Sequence, residues 1–290
     1  MAKIVGAITT SHVPAIGRAI AKNLQGEPYW KPFFDGYPPA RDWLARARPD
    51  VVVMFYNDHG LNFFLDKMPT FAVGAAPQYN NADEGWGIPT LPPFNGNLDL
   101  SWHVINQLVA KDFDIVTCQE MLVDHAVTLP LKLLWPGEGQ CPVTLVPVCI
   151  NTVQYPLPSA RRCFALGQAV GKAIESWNSD ARVLVMGTGG LSHQLDGERA
   201  GFINKEFDQQ FMRSLIDDPS WTTKYTTAEL VEKTGTQGIE LLMWLAARAA
   251  VPGGVRQVHS NYHIPISNTA AGLMVMEPTA GAAQRAAQPA

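Results

Sequence analysis

The sequence predicts an α/β fold: one domain with a central, mostly parallel or mixed sheet flanked by helices. Three observations carry that reading. Short continuous apolar runs alternate with longer helical stretches along the whole chain. The apolar runs are rich in Val, Ile and Met with few polar interruptions, as in strands covered on both faces. No internal repeat or linker divides the 290 residues, and 47% hydrophobic against 17% charged residues is enough apolar side chain for one large core.

The elements follow in order. Strands are expected at 3–9 (KIVGAIT), 50–56 (DVVVMFY), 113–117, 142–150 (PVTLVPVCI), 182–186 (RVLVM) and 271–276. Helices are expected at 39–48, 98–110, 159–177, 201–216 and 238–250, where apolar residues recur at helical spacing. The Pro-, Gly- and Asn-rich stretch 77–97 reads as a long loop of the kind that serves as a lid or binding element. The domain is expected over 1–278, with 279–290 an Ala-rich, frayed tail.

Composition narrows the function classes. A net charge of −4 gives no electrostatic reason to expect nucleic acid or an acidic membrane surface. No apolar run approaches the roughly 20 residues needed to span a bilayer, and the N-terminus lacks a secretory pattern. Cys118, Cys141, Cys149 and Cys163 show no CxxC spacing, so reduced thiols and a cytoplasmic location are expected. Familiar motifs fail on detail: GQAVGKA at 167–173 is one residue short of a phosphate loop and lies inside a helix, and GTGGLS at 187–192 is not GxGxxG. There is no GxSxG elbow and no HExxH helix, and Ser11 and Ser192 offer only a weak Ser-His hydrolase reading, each merely preceding a histidine.

The histidines hold the chemistry. Of seven, four sit at strand ends or turns: His12 in TTSHVPA, His59 in YNDHG, His125 in VDHAVTLP and His193 in GTGGLSHQ. Loops beyond the carboxyl ends of strands are where an open α/β sheet binds its ligands, and His12 and His59 both follow such ends. Two imidazoles there suit a metal, and a non-haem Fe(II) would need a carboxylate as third ligand. Glu240, in GIELLMWLAARAA, is the candidate acid, though a charge complementing a helix start, with Arg248 on the helix's wet edge, explains it as well. His193, after flexible glycines, is either solvated or catalytic, and His125 either caps a helix or serves the site. His103 reads as structural, while His259 and His263, flanking Tyr262, are candidates for lining a pocket.

TTSHVPA, YNDHG, DEGWG, VDHAVTLPL, GTGGLSHQ, RAGFINKEFD, GIELLMW and YHIPISNTA occur in this order from His12 to about Met276. Together they resemble the LigB-type, class III extradiol ring-cleavage dioxygenases, in particular the catalytic subunits acting on protocatechuate. The resemblance implies Fe(II) held by His12, His59 and Glu240, an acid/base His193, a second active-site histidine in His125, and Ser267 and Asn268 against the substrate's ring substituents. It implies cleavage of protocatechuate with O₂ beside the diol to 4-carboxy-2-hydroxymuconate semialdehyde, with gallate or a methylated gallate the alternative substrate. No organic cofactor is implied. Since some relatives carry a fused helical domain, it also implies a separate small helical α subunit in an α2β2 assembly. A zinc hydrolase or a non-catalytic binding protein of the same family are the readings from other classes.

Overall fold

The computed structural model describes residues 1–85, 87–88 and 90–279. Its elements are β1 (Lys3–Thr10), α1 (Pro14–Ala21), α2 (Lys31–Phe34), α3 (Tyr37–Ala47), β2 (Val51–Tyr56) and β3 (Phe71–Gly74). The short strands β4 (Gln78–Asn81) and β5 (Phe94–Asn95) precede α4 (Leu98–Val109), β6 (Val116–Cys118), β7 (Leu122–Val123), α5 (His125–Leu134) and β8 (Thr144–Ile150). Then come α6 (Ala160–Ser176), β9 (Arg182–Thr188), α7 (Lys205–Asp217), α8 (Thr227–Thr234), α9 (Leu241–Ala250), β10 (Val255–Ile266) and β11 (Thr269–Pro278).

Eight strands form one mixed sheet in the order β10-β11-β1-β9-β2-β8-β3-β6. The four central strands β1, β9, β2 and β8 run parallel, and β11 and β3 join them antiparallel on either side. Central strands must be apolar on both faces, and β2 shows it. Val51, Val53 and Phe55 pack with residues of α4, α6, α7 and α9, while Val52, Met54 and Tyr56 pack with those of α1, α3 and α5.

Gly167 and Gly171, the glycines of the phosphate-loop-like run, lie in α6 against α9. A Cβ on either would stand 2.2 and 2.1 Å from the carbonyl oxygens of Ala246 and Ala250. Their role is close helix packing.

Several expected boundaries move. The strand expected at 113–117 is β6, only Val116–Cys118, and the helix expected at 201–216 starts at Lys205 because the Asn204 side chain accepts the Phe207 N–H and caps it there. The last expected strand, 271–276, extends to Thr269–Pro278 as half of a hairpin whose first strand, β10, the sequence pattern does not predict. The stretch 77–97 is not wholly loop, since β4 and β5 pair within it and β7 completes a small three-stranded sheet. The helix expected from 238 begins as a single 3₁₀ turn, Gly238–Glu240, before α9. The tail expected at 279–290 lies outside the described residues beyond Thr279. No helix among the described residues is long and apolar enough to cross a membrane, and all four cysteines are free thiols.

Because β1, β9, β2 and β8 are parallel, their carboxyl ends meet at one edge. Thr10 pairs with Thr188 and Phe55 with Gly187 at those ends. The loops that follow carry His12, His59, Thr152 and His193 to the same crevice.

Candidate functional site

The crevice is a cavity of about 740 Å³ whose lining includes His12, His59, His125, His193, Glu240 and Ser267. That size suits a small aromatic ligand. The His12 and His59 rings stand 5.2 Å apart, His12 and His125 5.3 Å, and His59 and His125 4.2 Å between centroids.

Glu240 Oε2 lies 3.5 Å from His12 Nε2, and its Oε1 lies 3.5 Å from His59 Nε2. Two donors bound to one ion at about 2.1 Å sit roughly 3.0–3.4 Å apart at tetrahedral to octahedral angles, so these spacings fit a shared metal. His12 supplies a second test. It is 4% exposed, and neither its Nδ1 nor its Nε2 has a hydrogen-bond partner among the described residues. A buried imidazole left without partners costs free energy unless a ligand engages it. His12, His59 and His125 form a further set of donor atoms within 4.8 Å of one another. The site therefore has the donor types, charge and spacing of a metal centre.

Neighbouring groups fix each ring. The His59 Nδ1–H donates to Asp124 Oδ2 at 2.9 Å, and the His59 backbone N–H donates to the same oxygen at 2.8 Å. His125 is held likewise: its backbone N–H and its Nδ1–H donate to the two carboxylate oxygens of Glu84 at 2.8 and 2.7 Å. In both rings the carboxylate engages Nδ1 and not Nε2, the arrangement in which a carboxylate sets the tautomer of a metal-binding imidazole, and His59 Nε2 stands 3.2 Å from the Asn57 side-chain nitrogen. Asp124, not His125, caps α5, accepting the Ala126 N–H at 2.9 Å.

Glu240 does not sit at a wet edge. It is 6% exposed, its Oε2 accepts the Gly190 N–H at 2.8 Å, and its Oε1 accepts from Asn57 Nδ2 at 3.1 Å. Arg248 is also buried, its guanidinium spent on the carbonyls of Leu215, Val251 and Gly253. The reading of Glu240 and Arg248 as a solvated rim is thereby overturned. Glu240 comes this close because Gly189, at φ +118, has no Cβ: one there would lie 2.7 Å from the Glu240 Cβ.

Electrostatics agree with a cation site. Burial would lift the Glu240 carboxyl, but His12 and His59 hold it well below the ordinary range. Burial likewise opposes ionisation of Asp124, yet the His59 imidazole beside it keeps its pKa at about 2. Burial lowers the His12 pKa against the pull of Glu240, which favours the neutral ring a metal needs. For His59 burial works downward, but Asp124 and Glu240 outweigh it and raise the value to about 10, so the free ring carries a proton that a metal would displace.

His193 is 7% exposed. Its Nδ1–H donates to the Leu191 carbonyl at 2.9 Å, which leaves Nε2 as the unprotonated nitrogen of the neutral ring. Ser267, at φ +56 in the β10–β11 turn, lines the cavity, while Asn268, its neighbour in that turn, is not among the described lining residues. His103 bonds the Ala173 carbonyl and Ser176 in α6, and His259 bonds the Gly36 carbonyl, so both are structural. His263 is not among the described lining residues either. The Ser-His hydrolase reading loses its nucleophiles, since the Ser11 hydroxyl donates to the Gly190 carbonyl and that of Ser192 to Asp208.

Sequence reasoning misses Asn57, Glu84, Asp124 and Asp208 as site residues. All four lie inside motifs quoted above, Asn57 in YNDHG, Glu84 in DEGWG, Asp124 in VDHAVTLPL and Asp208 in RAGFINKEFD, and for the first three an acid or amide within a histidine-bearing or glycine-rich turn is the available signal.

The comparisons agree with this geometry. Over 194 residues the chain is 39% identical to the gallate dioxygenase of Pseudomonas putida KT2440, a stretch covering 67% of this chain and 57% of that protein. The chain thus spans little more than half the length of that relative. It is 29% identical to the 2,3-dihydroxyphenylpropionate/2,3-dihydroxicinnamic acid 1,2-dioxygenase of Rhodococcus jostii RHA1, with 93% of this chain and 96% of that one covered. In fold it is similar to the crystal structure of an uncharacterised Escherichia coli K12 protein, with a TM-score of 0.54 at 13% identity, covering 94% of this chain and 100% of that one. Residues 6–274 match the family described as the catalytic LigB subunit of aromatic ring-opening dioxygenase, and with its strand-end histidines, Glu240 and cavity this chain belongs to that LigB family of extradiol ring-cleaving enzymes.

Proposed function

We propose that this chain binds Fe(II) through His12, His59 and Glu240 and opens the ring of a carboxylated catechol beside its vicinal diol, gallate and its relatives foremost and protocatechuate next. The observation that carries the reading is the 3.5 Å approach of Glu240 to both imidazoles, at a cavity that His193 also lines. Gallate stands ahead of protocatechuate because a gallate dioxygenase is among the similar proteins.

Bound there, the ferrous ion would supply the open positions at which the diol and O₂ meet. The chain's own residues do the rest. A phenol has a pKa near 10, so a diol must be relieved of a proton, and the free Nε2 of His193 is placed to accept it and later return it. His125, fixed by Glu84, offers a second Nε2 to the substrate oxygens. Arg18, on α1 four residues past Pro14, is the only Lys or Arg among the described lining residues and faces a ring carboxylate by charge. Ser267 contributes a hydroxyl from the β10–β11 turn, and Asn268 beside it completes the proposed contact with the ring substituents.

Val153, Tyr155 and Leu195 line the cavity yet stand 43%, 73% and 54% exposed. Apolar side chains in water at a site mouth support a cover supplied by another chain, for which we propose a small helical α subunit in an α2β2 assembly.

The test is anaerobic reconstitution with Fe(II) or Zn²⁺, then O₂ uptake with gallate, protocatechuate and 2,3-dihydroxyphenylpropionate, with and without a co-expressed small subunit. O₂ uptake with iron alone, strongest on gallate and enhanced by the partner, is expected. Hydrolytic turnover with zinc and none with iron would overturn the proposal.

A further inference from the structure

Asp208 is a fully buried carboxylate in α7, outside the cavity, with no cation beside it among the described residues. Two of its three side-chain hydrogen bonds come from Ser192, in the loop that carries His193, and the third from β10. Oδ1 accepts the Ser192 backbone N–H at 2.9 Å; Oδ2 accepts the Ser192 hydroxyl at 2.6 Å and the Tyr262 hydroxyl of β10 at 2.9 Å. Ser192 Oγ in turn accepts the Asn204 N–H at 2.8 Å, which ties the same atom to the start of α7.

The loop is pinned on its other sides by neutral groups. The Leu191 N–H donates to the Ala270 carbonyl at 2.7 Å and the Ala270 N–H to the Ser192 carbonyl at 3.1 Å. The His193 N–H donates to the Thr234 carbonyl at 2.8 Å, and its carbonyl accepts the Gly238 N–H at 3.1 Å. Leu191 is also the residue whose carbonyl sets the His193 tautomer. Neutral contacts at Leu191 and His193 are ordinary backbone pairing. A lone buried charge clamped to both the N–H and the hydroxyl of Ser192 is costly, and a charge kept at such cost is typical of functional sites.

We propose that Asp208 is a positioning residue for ring cleavage: through Ser192, with Tyr262 as brace, it fixes the loop that aims His193 Nε2 at the substrate. The proposal rests on the acid/base role of His193. It assigns work to the last residue of RAGFINKEFD and the first of YHIPISNTA, which the metal site leaves unused.

Asp208→Asn keeps shape and offers one oxygen to the Ser192 N–H, while its amide reverses the contacts with the two hydroxyls. Displacements of a fraction of an ångström at a proton-transfer group suffice for roughly tenfold in rate. The experiment is a double-mutant cycle of Asp208→Asn and His193→Ala on the iron-loaded enzyme, with iron content, KM and thermal midpoint measured for each. It is paired with NMR of the His193 ring in the zinc-loaded protein. Expected are a roughly tenfold loss in kcat with KM and iron unchanged, no further loss from Asp208→Asn once His193 is Ala, and a shifted His193 ring resonance. Tyr262→Phe, which deletes one hydroxyl, serves as the milder variant should Asp208→Asn not fold, with a smaller kcat loss that likewise vanishes in the His193→Ala background. Additive losses, or an unmoved His193 resonance, overturn the proposal. Wild-type turnover in His193→Ala alone would instead sink the acid/base reading, while the ring resonance would still report whether Asp208 holds the loop.

Discussion

If Asp208 is kept charged for function, its removal should stabilise the protein while slowing it. Burial raises the Asp208 pKa from 3.8 to about 6, the hydrogen bonds from Ser192 and Tyr262 opposing that rise only in part. Its folded pKa lies above the unfolded one, so the folded state binds the proton more tightly. The stability this group contributes is fully present below about pH 3.8 and is lost as pH rises through about 6. A rise of that size corresponds to about 3 kcal/mol. The amide introduced by Asp208→Asn does not titrate, and its imperfect hydrogen bonding to two hydroxyls costs about 1 kcal/mol. The variant should therefore be slightly less stable than wild type near pH 4 and more stable by about 2 kcal/mol at pH 7.5, a Tm gain of about 4 °C at this chain size. Thermal unfolding of both metal-free proteins at half-unit steps from pH 4 to 7.5 gives the difference curve, in which all shared titrations cancel. A flat difference, or one that falls with pH, would show that the Asp208 charge is not held against its own stability.

The remaining outcomes concern the cavity. His12→Ala, His59→Ala and Glu240→Ala should each lose stoichiometric iron with the circular dichroism spectrum unchanged; full iron content in any of them removes that residue from the ligand set. Asp124→Asn replaces an acceptor of two His59 N–H bonds and the α5 cap, so iron should bind 10–100-fold more weakly in chelator competition, with about 1 kcal/mol lost in urea unfolding. Arg18→Gln should raise the KM for gallate about tenfold and leave that for an uncharged catechol within twofold, with Arg18→Lys intermediate; equal effects on both substrates would deny it the carboxylate.

What is legible in the sequence divides along physical lines. The apolar runs of β1, β2, β8 and β9 are readable because central parallel strands have no solvent face to interrupt them. β10 is not, because it mixes Arg256, Gln257, His259 and Asn261 into a strand whose partner, β11, lies across a hairpin turn. α1 begins at Pro14 after Val13 with no side-chain cap, so it has no capping signal, whereas α8 carries a capping box, Thr226 with Glu229, that the periodicity reading passes over. In the site, His12, His59 and His193 stand out since each follows a strand end. Glu84 cannot be assigned to His125 across 41 residues, nor Asp208 to Ser192 across 16, because those pairings exist only once loops and helices have packed.

The same division suits the four similar rings to the different tasks proposed for them. Each imidazole has two nitrogens, and its role is set by what the protein does with one of them. Asp124 spends a carboxylate on His59 Nδ1, which fixes the ring and strengthens Nε2 as a donor to a cation. Glu84 does the same for His125. His12 receives nothing on either nitrogen, and a ring buried to that degree has a metal as its natural partner. His193 receives only a carbonyl, which selects the tautomer without adding a full negative charge, and so leaves a nitrogen free to exchange a proton instead of being committed to an ion. If Asp208 acts as proposed, the charge that disciplines His193 has been moved one residue along the chain, onto Ser192, where it governs position without reaching the ring.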